Sequence, residues 1–428
     1  MLDTSNTFRF TELPLLDPAV SNEAEHWPRR RLVFLAGETS GDHIGGAVLM
    51  ALANAQVERQ VRLEVAGTGG VVMERQGMPS LLPLQRFNHM GFTNVLTHLP
   101  KLLGAINTVK RAVRAANPDA VVAIDSQGYS GQVLRSVRSE TTRRIQLVAP
   151  TVWAAHPRRA EKLAVRVDRL LCIYPFEPPL FEVHGLRSDF VGHPLVKTPL
   201  PEQPGAFKDR YKIPPRTQLI ALLPGSREIE VDHLFPIFAK AIRQLEAQGR
   251  DSIQVAIPTA PLVRARVSAL AKRYLPDAIV VEQEQLKWQL FHDADLALCC
   301  AGTAVIELSL CKTPIVLGYT HDWLTNILAG NVWNGFASIA NINAGREIHP
   351  EFVLHDCLPR SIAQAAVQIL NDKAYSGAMA EAQYDSILQM GVTDQFGGLV
   401  PPATVAADRI LDEVLGENGT RHQLNSQK

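Results

Sequence analysis

No apolar run in these 428 residues reaches the ~18–20 that a membrane-crossing helix needs, which removes a helical span from the reading. A net charge is missing too. The 43 basic and 43 acidic residues cancel, so nothing global points to nucleic acid, and attraction to a membrane would have to come from a local patch. Cysteine is scarce and unpatterned: Cys172, Cys299, Cys300, Cys311 and Cys357 are odd in number and irregular in spacing. With no C-x-x-C pair and no histidine cluster at ligand spacing, a disulfide framework and a structural zinc site are both disfavoured. Reduced, buried thiols in a cytoplasmic compartment are expected instead. The first residues, MLDTSNTFRFTELPLLDPAVSNEAEHW, carry early acids and no hydrophobic segment. They read as a poorly ordered extension over 1–30 and not as a signal peptide.

What is present is the material of two or three domains. Hydrophobic residues make up 46% of the chain, enough for large cores. Strand-length apolar runs recur at 32–36, 62–66, 120–124, 145–149 and 169–173, then at 218–223, 253–257, 278–281, 295–300 and 314–318. Helical segments separate them, the pattern of parallel sheets buried on both faces. The run 196–216, with five prolines, interrupts the alternation and reads as a linker. The expected plan is α/β: a first Rossmann-like lobe over 31–195, a second over 217–400, and a C-terminal helix and tail over 401–428. That last segment would pack back on the first lobe or be exchanged in a dimer. Two such lobes facing each other would form a cleft at the carboxyl ends of their strands.

Residues 32–49, LVFLAGETSGDHIGGAVL, join a strand to a helix through a turn of small residues. Backbone N–H groups and a helix N-terminus converge there, which suits a phosphate or a sugar hydroxyl. Echoes follow at 66–70, 123–130, 222–230 and 300–307. Asp125 ends the apolar strand DAVVAI and reads equally as a general base for a hydroxyl nucleophile or as a turn cap. In LLPGSRE, Gly225 and Ser226 offer donors and Arg227 a planar fork for phosphate oxygens; a pair with Glu228 or Glu230 is the plainer alternative. In CAGTAVIE, Gly302 and Thr303 open a helix, and Glu307 lies four residues beyond Thr303 on one face. That spacing fits a pyrophosphate with a carboxylate reaching a ribose hydroxyl, or a first-turn acid complementing the helix dipole. The glycines at 67, 69 and 70 fall short of a dinucleotide fingerprint, which leaves a nicotinamide-dependent oxidoreductase weakly supported. Asp293 and Asp295 read as structural and not as a metal pair.

Residues 87–106, FNHMGFTNVLTHLPKLLGAI, are apolar with few acids. They read either as a core helix or as a flap for acyl chains and membrane through Met90, Phe92, Val95, Leu96 and Leu99. Lys101, Lys110, Arg111 and Arg114 would then lie near lipid phosphates.

Taken in order, AGETSGDHIGG, GTGG with SLLPL, HMGFTNVL, APTVWAAHPRRAEKL, DRLLCIYPFE, FVGHPL, LLPGSREIEV, AGTAVIELSLCKTPIVLGY and SIANINAG resemble the lipid-A-disaccharide synthases, from about Leu32 to about Leu415. The resemblance implies a GT-B-like glycosyltransferase of two Rossmann-like lobes with no cofactor and no required metal. Its reaction joins UDP-2,3-diacylglucosamine to 2,3-diacylglucosamine 1-phosphate (lipid X), with inversion to a β-1,6 link. It further implies peripheral attachment to the cytoplasmic face of the inner membrane, and it brings a homodimer into consideration. Position by position, Asp125 matches the family's preferred base, Glu38, Ser40 and Gly41 its first glycine turn, and Ser226, Arg227 and Glu230 its G-S-R and following acid. Gly302, Thr303 and Glu307 match its nucleotide-binding turn and helix, and Asn341 the asparagine of its S-L-P-N. Gly128, Tyr129 and Ser130 depart from the acid, phenylalanine and asparagine that follow the base, and Ala340 replaces a proline. The departures keep two alternatives in view: a related transferase with another acceptor, and a UDP-sugar-binding homologue without turnover.

Overall fold

The computed structural model describes residues 7–17, 20, 22–84, 95–126, 128–137, 140, 142–153, 158–197, 204–248, 252–320 and 335–416, with 95–101 as backbone only. The chain forms two compact units, 1–194 with 391–428, and 195–390.

The first unit is built on a seven-stranded sheet: β1 (Thr11–Glu12), β2 (Arg29–Ala36), β3 (Arg62–Thr68), β4 (Ala120–Ile124), β5 (Arg143–Leu147), β6 (Arg169–Cys172) and β7 (Arg187–Phe190). The order is β1-β3-β2-β4-β5-β6-β7, parallel except for β1. Leu32 to Ala36 and Ala120 to Ile124 are wholly buried, as continuous Val/Ile/Leu/Ala runs covered by helices on both faces should be. The covering helices include α1 (Thr39–Arg59), α2 (Val71–Arg75), α3 (Val95–Ala116) and α4 (Ser130–Leu134).

The N-terminal extension is ordered where it is described, contrary to the sequence expectation. β1 pairs with β3, Leu13 is 1% exposed, and Gln56 donates to the Leu13 and Pro14 carbonyls. An antiparallel strand covers the β3 edge and satisfies donors that hydropathy does not register.

The second unit begins earlier than expected. The proline-rich stretch includes a short helix, α5 (Ala206–Arg210), whose Phe207 is fully buried. Asp293 accepts from the Gly205, Phe207 and Lys208 N–H groups, so this part of the supposed linker is capped and packed. The sheet comprises β8 (Gln218–Leu223), β9 (Ile253–Pro258), β10 (Ile279–Val281), β11 (Leu296–Cys299), β12 (Ile315–Tyr319) and β13 (Glu351–Val353). Its order is β10-β9-β8-β11-β12-β13, parallel throughout. Helices α6 (Glu228–Ala247), α7 (Glu284–Asp293), α8 (Ala304–Leu310) and α9 (Ile339–Ala344) frame the region discussed below.

Helix α10 (Pro402–Leu415) returns to the first unit and buries Ala406, Ala407, Ile410 and Leu411 in the same cluster as Leu49 and Leu52 of α1. Arg169, 1% exposed, anchors it through the Arg409 carbonyl at 3.0 Å while its Nε donates to Asp189 at 2.7 Å. A buried guanidinium is tolerated only with such partners.

Candidate functional site

Among the parallel strands of each sheet the order reverses once, between β2 and β4 and between β8 and β11. At such switch points the loops leaving the carboxyl ends diverge and open a crevice.

In the second unit that place is a cavity of about 660 Å³. Its walls are Leu223, Gly225, Ser226 and Arg227 after β8, Thr259 after β9, Glu282 to Glu284 after β10, and Gly302 and Thr303 after β11. Lys287 of α7 and Glu307 of α8 complete it. Thus six of the residues expected to bind nucleotide or stabilise the leaving group, Ser226, Arg227, Glu230, Gly302, Thr303 and Glu307, line one space.

Their roles differ from one another. Glu230, 9% exposed, accepts from the Ser226 and Arg227 N–H groups at 3.0 and 3.2 Å. Its other oxygen accepts from the Arg227 guanidinium at 3.2 Å. Glu230 therefore organises the turn that carries Ser226 and Arg227. Gly225 has φ +127, and a Cβ there would lie 2.5 Å from that of Glu230, so only glycine permits the cap. The Arg227 side chain remains 74% exposed, which leaves donors of its fork open to solvent at the cavity wall. Both sequence readings of Arg227, acid partner and phosphate donor, are compatible in one residue.

Glu307 is held by Lys287, whose Nζ is 2.8 Å from its Oε1 and 2.6 Å from Glu284 Oε1. Burial raises the Glu307 pKa, and the Lys287 charge offsets part of that rise. For Lys287 burial opposes the charge, but the two carboxylates outweigh it and its pKa is raised. Lys287 was invisible from sequence. Its spacing from Glu284 reads as an ordinary surface pair, and Glu307 is twenty residues away on another helix.

Asn341 is corrected. It is fully buried; its Nδ2 donates to the His349 carbonyl and to Glu351, and its Oδ1 accepts from the Ile348 and His349 N–H groups. With both polar atoms engaged in tying α9 to the β13 approach, it offers a ligand nothing. Asp293 and Asp295 are likewise occupied: Asp293 caps α5, and Asp295 binds Lys208 at 3.0 Å and the Leu219 N–H at 2.9 Å. Among the described residues no group of three or more acidic, histidine or cysteine side chains could hold a metal ion.

In the first unit, the turns after β2 and β4 touch: a Cβ on Gly37 would sit 2.6 Å from Ser126 Oγ. Glu38 precedes α1 in extended conformation, Glu38 and Ser40 are exposed, and Gly41 is buried beneath them against Ala36 and Ile124. Asp125 and Ser126 both adopt left-handed backbone, φ +48 and +44, and Val148 at the end of the neighbouring β5 has φ +69. Such conformations cost about 1–2 kcal/mol each for non-glycine residues and gather at functional edges. They are locked here by Ser130 Oγ donating to the Asp125 and Ser126 carbonyls at 2.9 and 3.0 Å, and by Gln146. Buried Tyr129 bonds Thr68 at 2.7 Å. Two of the family departures, Tyr129 and Ser130, therefore support the turn that carries Asp125.

The second glycine turn is structural. Asp42, 4% exposed, accepts from the Gly70, Val72 and Met73 N–H groups and so caps α2. A Cβ on Gly67 would lie 2.0 Å from the Phe34 carbonyl oxygen.

Of the apolar segment 87–106, residues 87–94, with Met90 and Phe92, lie outside the described residues, and Val95, Leu96 and Leu99 are described only as α3 backbone. Further along, Ala105, Ile106, Val109 and Val113 are core, while Leu103 is 42% exposed. On the other side Lys110, Arg111 and Arg114 join Arg135 along a groove of about 1000 Å³ with no acid in its lining.

Beyond β6, Tyr174 stacks on Phe176 and His193, with Trp153 edge-on to both Tyr174 and Phe176. Burial keeps His193 neutral, its pKa lowered to about 4. Beneath them Glu177 is wholly buried and accepts the Tyr174 N–H at 3.1 Å; burial pushes its carboxyl up to about 8. A carboxyl whose folded pKa exceeds its unfolded value binds more protons in the native state, so it lowers stability progressively as pH rises from about 4.5 to 8. Glu177→Gln, which keeps the acceptor, is expected to raise the thermal midpoint at pH 8.5 and to leave it unchanged near pH 4.5. Scanning calorimetry across that range checks the sign.

Two Rossmann-like sheets, each with polar turns at its switch point, define the GT-B class of glycosyltransferases and sugar-nucleotide epimerases. Solved structures agree. A putative UDP-N-acetylglucosamine 2-epimerase from Listeria monocytogenes superposes with TM-score 0.58 at 13% identity, covering 91% of this chain and 96% of its own. The calicheamicin glycosyltransferase CalG4 does so with TM-score 0.52 at 16% identity, covering 91% and 99%. The family model for lipid-A-disaccharide synthetase matches residues 32–394. The lipid-A-disaccharide synthase of Rhodospirillum centenum is 35% identical over 389 residues, 90% of this chain and 94% of the relative. The chain belongs to the lipid-A-disaccharide synthase family, and it is a hexosyltransferase of lipid A biosynthesis.

Proposed function

We propose that the second unit holds the UDP end of a UDP-2,3-diacylglucosamine donor and that Asp125 of the first unit is the general base for the 6-hydroxyl of a 2,3-diacylglucosamine 1-phosphate acceptor. The observation that carries the reading is the single cavity whose lining brings together Arg227, Ser226, the Gly302–Thr303 turn and Glu307. As the acceptor oxygen attacks the anomeric carbon, its proton passes to Asp125. The bond from that carbon to the β-phosphate oxygen breaks, and the configuration inverts. Charge develops on the departing diphosphate, where Arg227 and Ser226 donate. A fixed cation with backbone donors performs the service a metal renders elsewhere, and the aspartates with metal-like spacing are already used in packing. The departures at Gly128, Tyr129 and Ser130 leave the carboxylate itself in place.

For the lipid side, the groove of Lys110, Arg111, Arg114 and Arg135 supports a peripheral encounter with anionic headgroups, each cation near a charged surface being worth about 1 kcal/mol. No helix among the described residues is long and apolar enough to cross a membrane, so in this reading attachment is peripheral and reversible.

The test is product analysis. Purified protein given both diacyl substrates in the presence of EDTA should release UDP and form a product whose mass is the sum of the substrates less UDP. It should also sediment with anionic vesicles at low salt and not at high salt. UDP release without a disaccharide, or a disaccharide only with a different acceptor, would overturn the assignment.

A further inference from the structure

We propose that Lys287 is a positioning residue of the donor cavity, holding the Glu307 carboxylate to accept hydrogen bonds from the vicinal hydroxyls of a nucleotide ribose; this rests on reading that cavity as the UDP-sugar site. Lys287 reaches Glu307 from a different helix, with Nζ–Oε1 2.8 Å, and the two side chains are only 18% and 16% exposed. Its second partner, Glu284 at 2.6 Å, is 73% exposed and sits at the rim. The ammonium also lies 5.1 Å from the Trp288 ring centroid and 6.0 Å from that of Phe291, contacts that favour one placement of an otherwise flexible side chain.

Charge argues against Lys287 as a phosphate ligand. Two carboxylates against one ammonium leave this wall net negative, the wrong sign for a diphosphate. The phosphate donors Arg227 and Ser226 belong to the turn after β8, whereas this group belongs to α7 and α8. A carboxylate has about four acceptor sites over its two oxygens. The contact through Oε1 therefore leaves capacity for sugar hydroxyls, and ionised acceptors make the stronger hydrogen bonds.

The same geometry sets a pH dependence. Glu307 faces Lys287 and Glu284 from α7, and the buried Cys311 thiol at the end of its own helix. Burial raises its carboxyl and Lys287 opposes that rise. Without the ammonium, burial and Glu284 act unopposed and the carboxyl takes up its proton at higher pH.

Calorimetric titration of the full chain with UDP and with 2′,3′-dideoxy-UDP separates the roles. Lys287→Met is expected to weaken UDP ~10–100-fold at pH 7 while leaving the dideoxy analogue within about twofold of the wild type. Lys287→Arg should recover most of the loss. The acid limb of UDP binding should move to higher pH in Lys287→Met, and KM for the donor should rise more than kcat falls. Lys287→Gln is the second variant should the methionine destabilise α7. Equal weakening of both nucleotides would make Lys287 a phosphate ligand or a packing residue and overturn the proposal. So would unchanged UDP affinity in Lys287→Met, or a wild type that binds both nucleotides alike. A wild type that binds neither would instead overturn the donor-site reading itself.

Discussion

Asp125→Asn is expected to lower kcat by about 10³-fold or more while leaving UDP affinity and the thermal midpoint nearly unchanged. A positioned base contributes ~10²–10⁴-fold to a proton transfer, and here no second carboxylate follows within the next five residues to replace it. The substitution isolates the carboxylate because asparagine, like aspartate, tolerates the left-handed region that this position occupies at φ +48. The turn is held through backbone atoms: Ser130 Oγ donates to the Asp125 carbonyl, and the Asp125 N–H donates to the Leu147 carbonyl at 3.0 Å. Neither bond involves the side chain being changed. Steady-state kinetics with both diacyl substrates, with UDP titration and a melting curve beside them, check the three parts. A rate within tenfold of wild type would remove Asp125 from the chemistry. Lost UDP binding with the rate otherwise accounted for would make it a ligand.

Arg227→Ala is expected to cost ~10²–10³ in kcat with a small loss of stability. The ion pair with Glu230 contributes little to folding, because the arginine side chain is 74% exposed and solvent screens it. The cap survives the mutation: Glu230 Oε2 still accepts from the Ser226 and residue-227 N–H groups. What is lost is the donor fork on the cavity wall. Arg227→Lys should recover only part of the rate, since a point charge cannot donate two parallel bonds to one phosphate. Equal kcat in the alanine variant, with only KM raised, would show that the guanidinium binds the ground state and transition state alike.

Much of this molecule is readable in one dimension because parallel sheets write themselves as short apolar runs. Ten strands announced themselves in this way, from Leu32–Ala36 to the run ending near Tyr319. β7 and β13 did not. They are outer strands only half buried on average, and RSDF and EFV alternate too briefly to register. β1 escaped for a similar reason, being two residues paired to a sheet edge.

The site divides along the same line. Local turns such as GSRE and AGT were legible because every atom they need lies within a few residues, and a glycine or an acid at fixed spacing is a local demand. Glu230 shows the limit: the family resemblance marked it as a site residue, but only the fold showed both its oxygens holding the turn. Asn341 shows it more sharply, since the same N-x-N segment could face a ligand or a neighbouring loop, and its burial decided for the loop.

By itself, then, the sequence determined the two α/β sheets, the family and the turns at the ends of β2, β4, β8 and β11, because hydrophobic periodicity and turn chemistry are short-range. Tertiary structure alone decided that Lys287 meets Glu307, that Asp42 caps the second glycine turn, that α10 closes on the first unit through Arg169, and that an early segment is ordered against β3. Each of those joins residues tens to hundreds of positions apart or on different elements. The reason is physical: a charge, a cap or a sheet edge is satisfied by whatever the fold brings within about 3 Å of it, and that distance has no counterpart along the chain.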